Sequence, residues 1–356
     1  MPRGAAFRRA FRIWPGALAP RGATVPAVRR PRLRPVRRGR KFCAAALTLL
    51  AVGCASGPAA RPAHDAVGPA PADAQLVVTV RHPLLDDLFA HFDVNALLPR
   101  GVETDAETLS ASTDRLVLAV RPAERGATLA LVPAGRYPAQ MMGWQLHLSD
   151  FAFQTVDDSG VRHYWSNPIT GFGILVFPNL IFMFWVDPYL VDVSDPSDPE
   201  VREMIRIALE GAPVEIHPAA SDRSGAHLFA YLTDTVALAE QFDPAIGPAA
   251  ARVPTRAAWL AGRVPESAGE EVALVGGLAV EADDPEPFVA LTRLLLVTLL
   301  RQFDLLSAAR LRGVEVSATE EGTIDFRGLR IPRPVMVRLL GAMLGDEEPG
   351  EGDAEQ

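Results

Sequence analysis

The sequence predicts an α+β protein: a duplicated strand–helix–hairpin–helix–hairpin unit, with mostly antiparallel sheets and helices packed on one face. Three observations point there. Short β-branched runs alternate with segments of helical apolar spacing. Several strand pairs are joined by brief turn-forming stretches, as hairpins are. The same order of elements, at similar lengths, occurs in 75–190 and again in 225–344, which is the mark of an internal repeat.

The first unit opens with Gln75–Val80, whose β-branched residues suit a strand. Pro83 then starts a helix, 84–92, with Leu84, Leu85, Leu88, Phe89 and Phe92 on one side. A short helix over 104–110 follows. Strands 115–120 and 128–132 flank a Pro-Ala-Glu-Arg-Gly turn, and 138–146 has helical character. Strands 151–156 and 161–166 form a hairpin around Asp157-Asp158-Ser159-Gly160. Next come 172–177 and 180–186, two strands around Pro178-Asn179. This is the most apolar piece of the chain beyond residue 54, and the Pro-Asn break argues against a membrane span. Both faces of each strand are apolar, so the hairpin is covered on both sides or touches something else.

A connector, 191–224, contains a helix opened by Asp198-Pro199-Glu200 and ending before Gly211: Asp caps free N–H groups, Pro fits the first turn and Gly suits the exit. The second unit repeats the order: strand 227–232, helix 235–242, strands 256–264 and 272–281, a long helix 286–306, strands 314–318 and 323–326, and helix 334–344. The long helix is apolar almost all round, apart from Arg293 and Arg301, as expected of a helix running under a sheet. Residues 345–356 carry six acids and read as a disordered tail.

Ahead of the body, a basic cluster (Arg37, Arg38, Arg40, Lys41) precedes the apolar run Phe42–Val52 and then Gly53-Cys54. Charge, a short apolar segment and small residues, in that order, form a secretory signal. The run is shorter than the about 20 residues a spanning helix needs. Segment 37–54 resembles the signal peptide of bacterial membrane-anchored lipoproteins, where a Leu-(Ala/Ser)-(Gly/Ala)-Cys box ends on an acylated cysteine. Gly53-Cys54 matches the box, and Leu50 stands one place earlier than its leucine. The resemblance implies lipidation at Cys54, a membrane partner through that N-terminal anchor, and residence in the cell envelope. Ala55, where an Asp would favour inner-membrane retention, implies the outer membrane facing the periplasm in a diderm cell. Plain secretion is the competing address. The Arg-rich extension 1–36, without acid or Ser, lies upstream of a normal signal and reads as a start site placed too early, with Val36 as an alternative start codon; a basic arm is the other reading. Residues 55–74, rich in Ala, Pro and Gly, form a linker able to hold the body up to roughly 60 Å from the bilayer.

Charge and composition narrow the chemistry. Of 35 basic residues 13 lie in 1–41, while all 43 acids lie beyond Cys54, so the remainder carries a formal charge of −21. That speaks against nucleic acid as a partner. Lys41 is the only lysine, so the body has neither a Schiff-base lysine nor a phosphate-loop lysine. With Cys43 and Cys54 both at the signal, the body has no disulfide and no thiol nucleophile. The seven histidines show no metal-binding spacing, and the acidic run Asp187, Asp192, Asp195, Asp198 and Glu200 is interrupted by prolines and lacks the glycine of a calcium loop. No metal or cofactor is expected. Gly171-Phe172-Gly173 fails as a dinucleotide fingerprint, and no Gly-x-Ser-x-Gly elbow occurs.

One feature stands out. Eleven of the 25 aromatic residues fall within 144–189. Trp144, Trp165, Phe172, Phe177, Phe182, Phe184 and Trp185 are therefore either core or an apolar surface for a ligand, a lipid or an envelope protein. The sequence supports a lipid-anchored envelope protein that binds or scaffolds without chemistry. The alternative is an envelope hydrolase whose Ser, His and Asp assemble from distant segments, since triads are set by geometry rather than by order.

Overall fold

The computed structural model describes residues 70–71, 73–91, 106–123, 126–156, 163–210, 214–233, 253–266, 270–302, 305, 311 and 313–343. The extension 1–36, the signal with Cys54, nearly all of the linker 55–74, the helix expected at 235–242 and the tail 345–356 lie outside these residues. The described elements are β1 (Leu76–Arg81), α1 (Leu84–His91), α2 (Ala106–Ser112), β2 (Thr113–Ala123), β3 (Gly126–Gly135), α3 (Ala139–Leu148), β4 (Ala152–Thr155), β5 (His163–Asn167), β6 (Phe172–Phe177), β7 (Leu180–Trp185), α4 (Pro199–Glu210), α5 (Pro218–Ser221), β8 (Leu228–Leu232), β9 (Thr255–Arg263), β10 (Glu271–Val280), a 3₁₀ turn (Glu286–Phe288), α6 (Val289–Gln302), β11 (Glu315–Ala318), β12 (Thr323–Pro332) and α7 (Arg333–Met343).

The elements stand close to where periodicity puts them, but their assembly does not match the duplicated α+β unit. All twelve strands form a single sheet in the order β11-β12-β10-β9-β8-β1-β2-β3-β7-β6-β5-β4. β1 pairs antiparallel with β2 on one side and with β8 on the other, so the chain's two halves share one continuous ladder. Among the described residues the halves contribute unequally, seven strands and five. The architecture is one large antiparallel sheet and is sheet-dominated.

The helices are not confined to one face either. Alternation along β1 sends Leu76, Val78 and Val80 into one core and Val77 into another. The first core takes Leu84, Leu85 and Leu88 of α1, Leu146 of α3, and Met336 and Leu340 of α7. The opposite core takes Val201, Met204, Ile205 and Ala208 of α4 and Ala220 of α5. The connector thus supplies a second helical layer. Its entry is clamped to the sheet: Arg121 of β2 donates to Glu200 at 2.7 Å and to Asp73 at 2.7 Å, and the Thr128 hydroxyl donates to the same Glu200 carboxylate at 2.5 Å. A sheet buried on both faces needs strands apolar on both faces, and β6 and β7 are buried at every position. The long helix departs from full burial: Leu294 of α6 is 60% exposed.

Candidate functional site

The aromatic stretch resolves mainly into core. The β6–β7 register places Phe172 opposite Trp185, Gly173 opposite Phe184 and Leu175 opposite Phe182. Trp165, Phe172 and Trp185 point into the α1/α3/α7 side, while Phe177, Phe182 and Phe184 point into the α4 side. All six are buried. On the first face Phe172 meets Trp185 edge-on with centroids 4.6 Å apart. On the second, Tyr164 stacks on Phe184 at 6.1 Å and donates its hydroxyl to the Val193 carbonyl at 2.7 Å. These six side chains pack into the two cores on either side of the sheet.

Trp144 behaves differently. It is 71% exposed, with Met141 at 58% and Leu148 at 73% beside it. Spacings of three and four residues place all three on one side of α3. The other side is docked: Leu146 is buried, and a Cβ on Gly143 would sit 3.3 Å from the Trp165 ring. The helix therefore seats its small and aliphatic side on Trp165 and turns a Met–Trp–Leu strip to solvent. From Tyr137 to Ser149 the chain has no Asp, Glu, Lys or Arg. That lack of charge is the sequence signal for the strip: on its outward side α3 sets only Gln140 and His147 beside the exposed apolar residues.

Further exposed apolar residues gather at one end of the sheet. Ile169 lies in the β5–β6 turn, where Asn167 Oδ1 accepts from the Ile169 and Thr170 amides at 3.1 and 3.3 Å. Tyr189 and Leu190 follow β7. The two turns abut, because the Val186 amide donates to the Gly171 carbonyl at 3.0 Å. α3 delivers the chain to the same end: Phe151, just past Leu148, packs edge-on against Phe172 at 5.7 Å, and Ala152 pairs with Ser166.

The acidic run has a local structural task. Asp187, Asp192, Asp195 and Asp198 each accept the backbone amide two residues on, at 2.9, 3.0, 2.9 and 2.9 Å. Asp192 and Asp195 also accept from Ser194 and Ser197 hydroxyls at 2.6 Å. The carboxylates cap successive turns instead of converging. Hydrogen bonds from the Ser197 hydroxyl and amide hold the Asp195 carboxyl below its usual range. Among the described residues no group of three or more His, Cys, Asp and Glu is placed to hold a metal.

A Ser, an Asp and a His do meet, in an order unsuited to nucleophilic catalysis. Asp86 Oδ1 accepts from Ser110 Oγ at 2.5 Å and from His82 Nδ1 at 2.8 Å, while His82 Nε2 lies 2.8 Å from the Thr113 carbonyl. The imidazole therefore spends both nitrogens as donors, and the carboxylate stands between it and the hydroxyl. In a triad the imidazole would receive the serine proton. Burial opposes charge on His82, but the hydrogen bonds to Asp86 and Thr113 and the charges of Asp86 and Asp114 outweigh it and raise its pKa. His147 packs edge-on to Phe153 at 5.5 Å.

No helix among the described residues is long and apolar enough to cross a membrane, which says nothing of strands. No protein-family model matches the chain, and no curated protein does. Solved structures do. Crystal form III of TP0453 is similar over 79% of this chain and 100% of that one, with a TM-score of 0.51 and 12% identity. Crystal form I matches over 79% and 98%, with a TM-score of 0.49 and 10% identity. At such identity the likeness is one of fold: this chain has a fold similar to that of TP0453.

Proposed function

We propose that this chain is a lipid-anchored cell-envelope protein, tethered through Cys54, that binds and scaffolds and does no chemistry. The observation that carries the reading is the outward strip Met141–Trp144–Leu148 on an uncharged helix of a strongly acidic chain. A protein held near a bilayer by a lipid anchor can seat such a strip at the headgroup boundary, where Trp is favoured and where apolar side chains leave water without crossing the membrane. The short basic–apolar–Gly-Cys segment supports the tether. The absence of charge along the strip suits a neutral interface, since the acidic body repels anionic lipid.

The experiment uses the full chain expressed in a diderm bacterium fed radioactive palmitate. Wild type takes up label and fractionates with envelope membranes; Cys54→Ser loses label. The Cys54→Ser protein still co-floats with phosphatidylcholine vesicles, and adding Met141→Glu and Trp144→Glu abolishes that. An unlabelled, cytoplasmic wild type overturns the anchor. Vesicle binding that survives the two glutamates overturns the strip.

A further inference from the structure

The helices of the chain's second half run against its acidic composition. No acid occurs from 287 to 303, which contains α6, or from 326 to 345, which contains α7. Both gaps lie in the part of the chain that holds all 43 acids. Leu300 of α6 enters the same core as Met336 and Leu340 of α7, so both helices cover one side of the sheet. Leu291 and Leu295 of α6 pack against the small core around Val316 and Ile324. The opposite arc of α6 holds Ala290, Arg293, Leu294, Val297 and Arg301, which recur with the helical period. Arg293 and Arg301 are exposed, Leu294 is 60% exposed and Val297 is half-buried. Thr298, beside them, donates its hydroxyl to the Leu294 carbonyl at 2.8 Å, so its proton is spent within the helix. On α7, Arg338 is exposed while Met336 and Val337 are buried.

These arginines differ from the others in their pairing. Arg206, Arg256, Arg327 and Arg333 each hold a carboxylate. Among the described residues Arg293, Arg301 and Arg338 form no ion pair. The acids Asp283, Asp284 and Glu286 stand ahead of the first turn of α6. A single exposed leucine is ordinary on a protein surface. Leucine and valine set between unpaired arginines on one helical arc are not, because that combination is the pattern of a helix lying in a charged interface. The net negative charge does not forbid it. At physiological salt charges beyond about 8 Å are largely screened, so a nearby surface meets the local face and not the whole chain.

We propose that the outward side of α6, together with Arg338 of α7, is a docking surface for an anionic phospholipid bilayer. The arginines lie at the headgroups, and Leu294 and Val297 point between them toward the acyl chains. An arginine can keep its guanidinium at the phosphates while its stem lies along apolar surface, and its fork takes phosphate oxygens in pairs. An acidic protein would match the cations but has no use for the leucine between them. The surface is separate from the strip on α3 and from Cys54, and it selects a different lipid class.

The test uses the full chain carrying Cys54→Ser, floated at physiological salt with phosphatidylcholine vesicles and with the same vesicles containing phosphatidylglycerol. Phosphatidylglycerol raises affinity at least tenfold, at about fivefold per arginine. Arg293→Gln, Arg301→Gln and Arg338→Gln together abolish that gain, leaving phosphatidylcholine binding and the melting temperature unchanged. Arg301→Gln alone loses about fivefold and guards against a triple variant that fails to fold. Leu294→Gln lowers affinity for the anionic vesicles about tenfold, an effect that adsorption by charge alone does not give. Arg206→Gln on α4, where Glu203 and Glu210 already hold the guanidinium at 2.7 Å, changes nothing. Met141→Glu with Trp144→Glu removes phosphatidylcholine binding but keeps the gain, so failure of the α3 strip and failure of this surface read out separately. A chain that gains nothing from phosphatidylglycerol, or a triple variant that keeps the gain, overturns the surface. Displacement from the vesicles by soluble polyglutamate overturns it too, and assigns the arginines to an acidic protein.

Discussion

His82 and Asp86, four residues apart at the start of α1, are joined by a 2.8 Å hydrogen bond in which the imidazole is the donor. The other imidazole nitrogen faces the Thr113 carbonyl, so the charged form satisfies every partner and the neutral form strands one of them.

The pair makes stability depend on pH in a definite sense. His82 has a raised folded-state pKa, so its contribution is fully present below about pH 6.5, the unfolded value, and is lost as pH rises through the folded value. Asp86 has a lowered one. Burial opposes that shift, but the Ser110 and His82 hydrogen bonds outweigh it, so its contribution is present above about pH 3.9 and is lost as pH falls through the folded value. Both side chains are close to half exposed, which keeps the effect under about 1 kcal/mol. Urea unfolding of wild type and His82→Gln should therefore show a gap at about pH 5.5 that closes by about pH 8.5. A gap constant over that range would mean that the imidazole acts only by packing.

Trp144 and Trp165 are 21 residues apart and occupy opposite environments, one outward on α3 and one beneath it. Trp165→Ala should cost about 3–5 kcal/mol, as large aromatic truncations in a core do. Trp144→Ala should stay within about 0.5 kcal/mol. Thermal unfolding separates the two, and a Trp144 variant as damaged as the Trp165 one would place the strip inside the fold.

The element list was largely legible in the chain; the layer plan was not. The Asp198-Pro199 start of α4 and the spacing of α1 are local signals, and both helices stand where they point. The β1–β8 pairing is not local. It joins Val78 to Ala230 across some 150 residues, and nothing in either strand names its neighbour. Separate sheets with one helical layer were therefore a fair reading that the common ladder overturns. Phe182 and Phe184 show the limit at the candidate site. A strand apolar on both faces must be covered twice or exposed once, and only the position of α4 settles which. The useful signal is the missing charge between Tyr137 and Ser149: with only Gln140 and His147 as exposed polar side chains, the outward side of α3 leaves Met141, Trp144 and Leu148 in water.

Gly173 shows how closely the β6–β7 interior is filled. A Cβ there would stand 2.4 Å from the Phe184 ring and 2.8 Å from the Tyr164 hydroxyl. Gly173→Ala should cost about 1–3 kcal/mol through overpacking, read as a lower melting temperature. An unchanged melting temperature would show that the Tyr164–Phe184 stack has room to move.

The Tyr164 hydroxyl provides an independent check on the same interior. Its donation to the Val193 carbonyl ties β5 to the turn ahead of α4, so it holds the second helical layer to the sheet. Tyr164→Phe leaves that carbonyl without this donor in a buried setting, at a cost of about 1–3 kcal/mol. Burial, and then the charge of Asp192, push the phenol's pKa well above its ordinary value. In a spectrophotometric titration of the folded protein, Tyr164 should thus stay protonated well above about pH 10, where an unperturbed phenol ionises. The Tyr164→Phe variant should remove absorbance only from the fraction released when the chain unfolds in alkali. If the variant instead lost absorbance from the early fraction, the phenol would be in contact with water and the α4 layer would not cover β5.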